Sequence, residues 1–197
     1  MSEEQVDLKR RRMLTAATAG VGAIGATAMV VPFGMSLLPS EKAKAAGAPV
    51  EVDISMIEEG QQVTVEWRGK PVWIVKRSES VLQDLPTLDN QLADPQSEAD
   101  QQPEYAKNEG RSINPEISVL VGICTHLGCS PSYRPELAPA DLGEGWKGGY
   151  FCACHGSRFD LAGRVYKSVP APTNLVVPPH QYLTDTLIVV GTDGGAS

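Results

Sequence analysis

All four cysteines and two of the three histidines of this 197-residue chain lie in two short segments of its sequence. The segments are GICTHLGCSP (residues 122–131) and YFCACHGSRFD (150–160), and each contains two cysteines and one histidine. The six side chains are Cys124, His126, Cys129, Cys152, Cys154 and His155. Thiols and imidazoles grouped in this way indicate a shared metal site, so the fold has to bring the two segments together.

Three ordinary kinds of site explain the pattern incompletely. A structural zinc ion takes four Cys or His ligands, and six candidates exceed that number. Two disulfide bonds would use every cysteine but would give the neighbouring histidines no role. A thioredoxin-like reaction fits less well, because one residue separates Cys152 from Cys154 and no βαβ pattern surrounds them.

A two-iron, two-sulfide cluster accounts for the whole pattern. If each segment gives one thiolate and one imidazole, two thiolates bind one iron and two imidazoles bind the other. One cysteine in each segment is then left over, and the two can bridge the loops covalently. Zinc and a pair of disulfides remain the alternatives.

The N-terminal region predicts a membrane anchor. Residues 13–38 carry no charge and follow the basic run Lys-Arg-Arg-Arg at residues 9–12. A helix of this length rises about 39 Å, more than the roughly 30 Å of hydrocarbon in a bilayer. We therefore expect a cytoplasmic basic head over residues 1–12 and a transmembrane anchor over 13–38, bent or ended near Pro32. The charge-free length argues against a buried helix of a soluble protein.

The basic run also fits the twin-arginine export pattern, since Arg10 and Arg11 precede Arg12 and two hydrophobic residues. Ala43-Lys44-Ala45 matches a small-x-small cleavage site, but the apolar stretch is longer than a typical signal core. We therefore expect a retained, single-pass anchor in the bacterial inner membrane, with the C-terminal domain on the periplasmic side.

The charge of the chain is divided unevenly. Residues 1–48 hold six Lys/Arg and four Asp/Glu, whereas residues 49–197 hold 11 Lys/Arg and 20 Asp/Glu. A basic head therefore precedes an acidic body. This balance, with a pI near 5.0, argues against nucleic acid as a partner.

The body after the anchor is predicted to be mainly β. The stretch VTVEWRGKPVWIVKR (63–77) has the pattern of a β-hairpin that turns at residues 68–71. EISVLVGI (116–123) and TLIVVG (186–191) are typical of further strands. Short strands with Pro- and Gly-rich connections predict a small antiparallel β sandwich over residues 50–197.

Two further segments connect these elements. PSEKAKAAGAP (residues 39–49) is small and polar between two prolines, which is typical of a flexible hinge that can bend or be helical. Residues 80–110 are polar, and we interpret them as surface helix and loop.

The two Cys/His segments resemble the cluster-binding motifs of the Rieske iron–sulfur subunit of the cytochrome bc1 complex, ubiquinol–cytochrome c oxidoreductase. The motifs are CTHLGC (124–129) and CACHGS (152–157). The rest of the chain agrees with this family more loosely, through its basic head, single helix, small-residue hinge and β body. The resemblance implies the Rieske fold, with a cluster-binding subdomain over about residues 117–175.

The resemblance also implies the ligands of one [2Fe–2S] cluster. Cys124 and Cys152 are expected to bind the inner iron, and His126 and His155 the outer iron near solvent. Replacing two thiolates by neutral imidazoles raises the potential from about −400 mV to roughly −150 to +300 mV, so the centre can accept an electron from quinol. His155 is expected to be the catalytic residue, which hydrogen-bonds the quinol.

Other members of the two motifs have roles that the resemblance implies. Cys129 and Cys154 are expected to form a disulfide bond, and Leu127 to shield the cluster. Ser157 is expected to hydrogen-bond a bridging sulfide. VPAPTNL (169–175) resembles the proline loop that covers the third side of the cluster.

The sequence departs from the family pattern at two positions. Ala153 stands where proline is usual. Phe159 stands where many members carry a tyrosine whose hydroxyl donates to a ligand sulfur, and a phenylalanine cannot donate. Neither position is a ligand, so the departures bear on the surroundings of the cluster.

The implied function is electron transfer from quinol, at the quinol-oxidation site of cytochrome b, to the c-type cytochrome c1. The alternative is the Rieske small subunit of an arsenite oxidase, which is also exported and works with a molybdenum enzyme. The retained helix and Ser157 favour the first. A Rieske oxygenase also needs a mononuclear iron with two more histidines, and only His180 remains. A soluble Rieske ferredoxin normally lacks the anchor and the second cysteine pair.

Overall fold

The fold is described from a computed structural model, which describes residues 7–193 of the chain. The chain forms two compact units, residues 1–45 and 46–197. Residues 1–6 of the predicted basic head lie outside the described residues. Each unit is treated by itself below.

The first unit is built on one long helix, α1, which spans Leu8–Ser36. The Asp7 carboxylate accepts hydrogen bonds from the backbone N–H groups of Lys9 and Arg10, and so caps the helix start. The helix continues through Pro32 to Ser36. An end of the helix at Pro32 is therefore wrong, whereas a bend there stays a prediction. Proline removes one backbone donor, and a helix can continue beyond that loss.

Every side chain of α1 is exposed, including all of its large apolar ones. Apolar side chains on all sides of a helix are suited to lipid rather than water. Within residues 7–193, α1 lies in the one helical stretch that is long and apolar enough to cross a membrane. A short helix, α2, follows at Glu41–Ala46. The predicted hinge therefore contains six helical residues, and its flexibility stays a prediction.

The second unit contains nine described strands in three antiparallel sheets. The strands are β1 (Val50–Asp53), β2 (Gln62–Trp67), β3 (Lys70–Lys76), β4 (Ile117–Val121), β5 (Ser132–Arg134), β6 (Gly149–Cys152), β7 (Ser157–Phe159), β8 (His180–Thr184) and β9 (Leu187–Val190). The sheet orders are β1-β9-β8, β2-β3-β4 and β5-β6-β7. The mainly β, antiparallel fold predicted for this unit is confirmed.

The predicted hairpin is formed by β2 and β3, with Trp67 opposite Lys70. Its two turn residues, Arg68 and Gly69, both have positive φ angles, of 52° and 70°. This two-residue turn matches the right-handed twist of the strands it joins. The hairpin and the strands β1 and β9 enclose one apolar core, which includes Val72, Ile74, Ile188 and Val190.

The polar connection between β3 and β4 is only partly on the surface. It contains a helix, α3 (Glu79–Asp84), and two 3₁₀ turns, Leu85–Gln91 and Glu104–Ala106. Arg111 is fully buried and donates to the carbonyls of Ala162 and Gly163. Within residues 80–110 themselves, Leu85, Leu88 and Leu92 are buried. Ser97 is also fully buried, and its hydroxyl accepts a hydrogen bond from Asn174, 77 residues along the chain. The interpretation of residues 80–110 as surface is therefore wrong in part.

Candidate metal centre

The first Cys/His segment leaves the sheet directly after β4. The amide of Gly122 donates to the Pro71 carbonyl at 2.8 Å, and a Cβ at Gly122 would lie 2.3 Å from the Trp73 ring. Only glycine fits this position. Beyond it, the amide of Cys124 donates to the Cys129 carbonyl at 2.7 Å. The segment is therefore a closed loop that holds Cys124 inward.

The second segment is the turn between β6 and β7. Cys152 ends β6 and lies opposite Ser157, the first residue of β7. The amide of Gly156 donates to the Cys152 carbonyl at 2.9 Å, and Gly156 has a φ of 78°. The sheet thus fixes Cys152 and Ser157 as neighbours at the base of an exposed turn.

The two segments meet at a pair of buried thiols. Cys124 and Cys152 are each 2% exposed. Burial raises the pKa of the Cys152 thiol, while the N–H groups of Cys154 and His155, which donate to its sulfur, act in the opposite direction. The adjacent Cys124 thiol adds to the rise, and both cysteines belong to one buried cluster. A bound metal ion reverses this balance, because its positive charge favours the thiolate.

The two histidines lie farther out. The imidazole rings of His126 and His155 are 4.7 Å apart between centroids and meet at 88°. His155 is exposed and His126 is half-buried. Leu127, beside His126, is 73% exposed. The site therefore has thiols on its inner side and imidazoles toward solvent.

The other two cysteines, Cys129 and Cys154, form a disulfide bond that joins the two loops. This is the pairing that the family resemblance implies. The sulfur atoms of Cys129, Cys152 and Cys154 lie within 4.8 Å of one another. That group is not a ligand set, since bridged sulfurs are not thiolates, and the free thiol partner of Cys152 is Cys124.

The proline loop, residues 169–175, is held against both segments. The Thr125 hydroxyl donates to the Thr173 carbonyl at 2.7 Å, and the Ala171 amide donates to Ser157 Oγ at 3.0 Å. Asn174 accepts from the amide of Val165 and is fully buried. Sequence reasoning missed Thr125 and Asn174, although Thr125 lies between two predicted ligands within the first motif.

The residues fit a two-iron cluster with mixed ligands. Two buried thiols and two outward imidazoles match the donor set of a Rieske centre. Ser157 gives a second test, since it is fully buried and its oxygen accepts from Ala171. Across residues 7–193, its hydroxyl donates to no protein acceptor, so its proton remains available to a sulfide.

The fold and the donor set define a Rieske-type iron–sulfur protein. Residues 49–179 match the family model described as "Rieske [2Fe-2S] domain". Residues 1–40 match "Ubiquitinol-cytochrome C reductase Fe-S subunit TAT signal". The chain belongs to the family of ubiquinol–cytochrome c reductase iron–sulfur subunits.

Three bacterial relatives share the printed name "Ubiquinol-cytochrome c reductase iron-sulfur subunit". The chain is 60% identical over 197 residues to that of Allochromatium vinosum, covering 100% of this chain and 95% of the relative. It is 42% identical over 192 residues to that of Blastochloris viridis, with 96% and 97% coverage. It is 40% identical over 183 residues to that of Bradyrhizobium diazoefficiens, with 92% and 94% coverage.

These similarities confirm several predictions. The Rieske domain implies a [2Fe–2S] cluster, and the family members are subunits of a quinol–cytochrome c oxidoreductase, the cytochrome bc1 complex. The function is electron transfer within that complex, and an arsenite oxidase subunit is not favoured. The twin-arginine signal match and the apolar helix α1 support a single-helix membrane anchor.

Proposed function

We propose that this chain takes an electron and a proton from quinol at the quinol-oxidation site of cytochrome b, and passes the electron to cytochrome c1. The observation that carries the proposal is the arrangement of the site, with two buried thiols inside and two imidazoles facing solvent. When bound, the [2Fe–2S] cluster supplies a one-electron acceptor of raised potential.

We assign the ligands by their depth. Cys124 and Cys152 would hold the inner iron, where backbone N–H groups donate to the Cys152 sulfur. His126 and His155 would hold the outer iron. The Cys129–Cys154 disulfide keeps the two loops together, so that four ligands from separate segments stay in one geometry.

His155 is proposed to meet the quinol. His155 is exposed in the turn between β6 and β7, so its free ring nitrogen can accept a hydrogen bond from a quinol hydroxyl and take the proton. Leu127 is a large apolar side chain exposed on the first loop beside His126. An apolar tip of this kind excludes water when it docks on a partner surface.

The anchor and hinge are proposed to serve the same task. The basic run in the first turns of α1 favours a cytoplasmic N-terminus, which puts the acidic domain on the periplasmic side. Residues 39–49 then let the domain move between cytochrome b and cytochrome c1.

The test is a His155→Ala variant in membranes that carry the whole complex. We expect the EPR signal of the reduced Rieske cluster and quinol–cytochrome c activity to be lost together. His180→Gln is the matched control, because it removes the third imidazole, which lies outside the site. A normal cluster signal in His155→Ala would contradict the ligand assignment. If the unmodified complex shows the EPR signal of the Rieske cluster but does not oxidise quinol, the proposed reaction is contradicted.

A further inference from the structure

We infer that the backbone N–H of Ala171 is a positioning group for the cluster, because it fixes the direction in which the Ser157 hydroxyl donates. The inference rests on the proposed function, and on the hydrogen bond from Ser157 to a bridging sulfide that the family resemblance implies. Ala171 belongs to the proline loop, and its proposed effect on the cluster comes from its backbone N–H alone.

The contact itself is buried and short. The Ala171 nitrogen lies 3.0 Å from Ser157 Oγ, with Ser157 0% and Ala171 5% exposed. A hydroxyl has one proton to donate and two lone pairs that accept. With one lone pair occupied by the Ala171 N–H, the proton has to point elsewhere. No protein acceptor takes it among residues 7–193, and Cys152 lies directly opposite Ser157 in the sheet.

The sequence of the loop makes this donor unusually fixed. Ala171 lies between Pro170 and Pro172, so it carries the single backbone N–H of residues 170–172. Each proline holds its own φ angle near −65° and has no amide proton to compete. The hydrogen bond from Thr125 to the Thr173 carbonyl holds the loop just beyond this point.

The opposite end of the hydrogen bond is also fixed. Ser157 begins β7 and pairs with Cys152, which belongs to the same buried cluster as Cys124. A serine side chain otherwise has three staggered rotamers and a freely rotating hydroxyl. The Ala171 N–H selects among these orientations. Without it, Ser157 would remain in place but would donate toward the cluster for only part of the time.

The test is a double-mutant cycle read as the midpoint potential of the cluster, by EPR-monitored titration of the full complex in membranes. Ala171→Pro removes the N–H, and Ala171→Gly keeps it as the control. We expect Ala171→Pro to lower the equilibrium constant for reduction of the cluster about tenfold. For a one-electron couple, this lowers the midpoint potential by about 59 mV. Ala171→Gly should leave the potential unchanged. In a Ser157→Ala background, Ala171→Pro should add nothing.

A second variant guards against misfolding of Ala171→Pro. Incorporating lactic acid at position 171 replaces the amide by an ester and deletes the same N–H with almost no change of shape. The same loss of potential is expected, with the cluster content and the form of the EPR spectrum retained. An unchanged potential in the ester variant would overturn the inference, and so would an equal loss with and without Ser157.

The cycle also separates this inference from the proposed function. If Ser157→Ala leaves the potential unchanged, the proposed role of Ser157 toward the cluster fails, and the inference fails with it. If Ser157→Ala lowers the potential and the ester variant does not, the inference about Ala171 alone is wrong.

Discussion

The hydroxyl of Thr125 donates to the carbonyl of Thr173 at 2.7 Å, across 48 residues of sequence. Thr125 lies between Cys124 and His126, two proposed ligands of different irons. Thr173 belongs to the proline loop. One hydrogen bond therefore ties the loop that carries two proposed ligands to the proline loop.

Replacing Thr125 by valine keeps the shape of the side chain and removes this hydrogen bond. The carbonyl of Thr173 would lose its partner at a half-buried position, which costs about 0.5–1.5 kcal/mol of folding stability. We expect a lower unfolding midpoint and faster loss of the cluster signal on storage in air, since the cover is held less firmly. Thermal unfolding and EPR of the same samples measure the two effects.

The matched control for this change is Thr64→Val. Thr64 is exposed on β2 and belongs to neither ligand loop, and the change there also replaces a hydroxyl by a methyl group. Its unfolding midpoint and cluster lifetime should remain those of the unmodified protein. Equal losses in both variants would mean that the Thr125 hydrogen bond has no particular role.

The elements predicted from the sequence are those whose signal is local. The hairpin of β2 and β3 follows from alternating apolar residues on both sides of a two-residue turn, and the site follows from six clustered ligand-type residues. Arg111 could not be predicted as buried, because its partners are carbonyls 51 and 52 residues away. The burial of Asn174 could not be predicted either, because its side-chain amide donates to the Asp94 carbonyl, 80 residues away. Burial of polar groups depends on distant backbone geometry that no local pattern contains.

The four cysteines should divide into two functional pairs. Cys124→Ser or Cys152→Ser removes a proposed ligand, so the cluster should be absent. Cys129→Ser or Cys154→Ser breaks the cross-link between loops 25 residues apart. Some cluster should still assemble, with a lower potential and a loss of about 2–4 kcal/mol of stability.

Iron analysis and EPR of all four variants, prepared in parallel, provide the measurement. The double variant Cys129→Ser/Cys154→Ser is the useful control, because it removes the bridge without leaving one unpaired thiol. It should behave like the two single bridge variants. Complete loss of the cluster in every cysteine variant would contradict the division into a pair of ligand cysteines and a pair of disulfide cysteines.

Stiffening the hinge should slow turnover without changing the cluster. Residues 41–46 are helical, and three prolines across residues 44–47 would break that helix and fix the backbone. If the domain moves between two partners, quinol–cytochrome c activity should fall while the EPR spectrum is retained. A Lys42→Ala/Lys44→Ala variant preserves helix propensity and serves as the control. Normal turnover in the proline variant would favour a fixed electron path.

The folded domain should lose stability in mild acid through His180. This histidine is buried, and burial lowers the pKa of its imidazole below the ordinary 6.5, although its contact with the Pro178 carbonyl acts in the opposite direction. Below about pH 6.5 the unfolded chain binds a proton that the folded domain does not. Stability is therefore unaffected above that pH and declines as the pH falls toward the lowered pKa.

Unfolding midpoints of the unmodified protein and of His180→Gln, measured from pH 7.5 to 5, test this relation. The two proteins differ at this one position, so the difference between their two curves isolates the contribution of His180. The unmodified protein should lose more stability over this interval. Parallel curves would mean that His180 accepts its proton in the folded state.

Phe159 offers a change that should raise the reduction potential. It is fully buried in β7 and packs in the same apolar cluster as Cys124 and Cys152. In the family pattern, a tyrosine hydroxyl at this position donates to a ligand sulfur, and such a bond stabilises the electron-rich reduced cluster. A hydrogen bond to a charged group contributes about 1.5–3 kcal/mol at most, and 59 mV corresponds to about 1.4 kcal/mol. Because both redox states feel the bond, Phe159→Tyr should raise the potential by on the order of 50–100 mV.

An EPR-monitored titration decides the matter, with Phe151→Tyr as the control. Phe151 precedes Cys152 on β6 and pairs with Arg158. The Phe151→Tyr change therefore adds the same hydroxyl on the opposite face of the sheet. Its potential should not change, whereas Ser157→Ala should lower the potential. Turnover of Phe159→Tyr need not increase, since quinol chemistry can be limited elsewhere. An unchanged or lowered potential in Phe159→Tyr would mean that the ring at this position does not point toward a ligand sulfur.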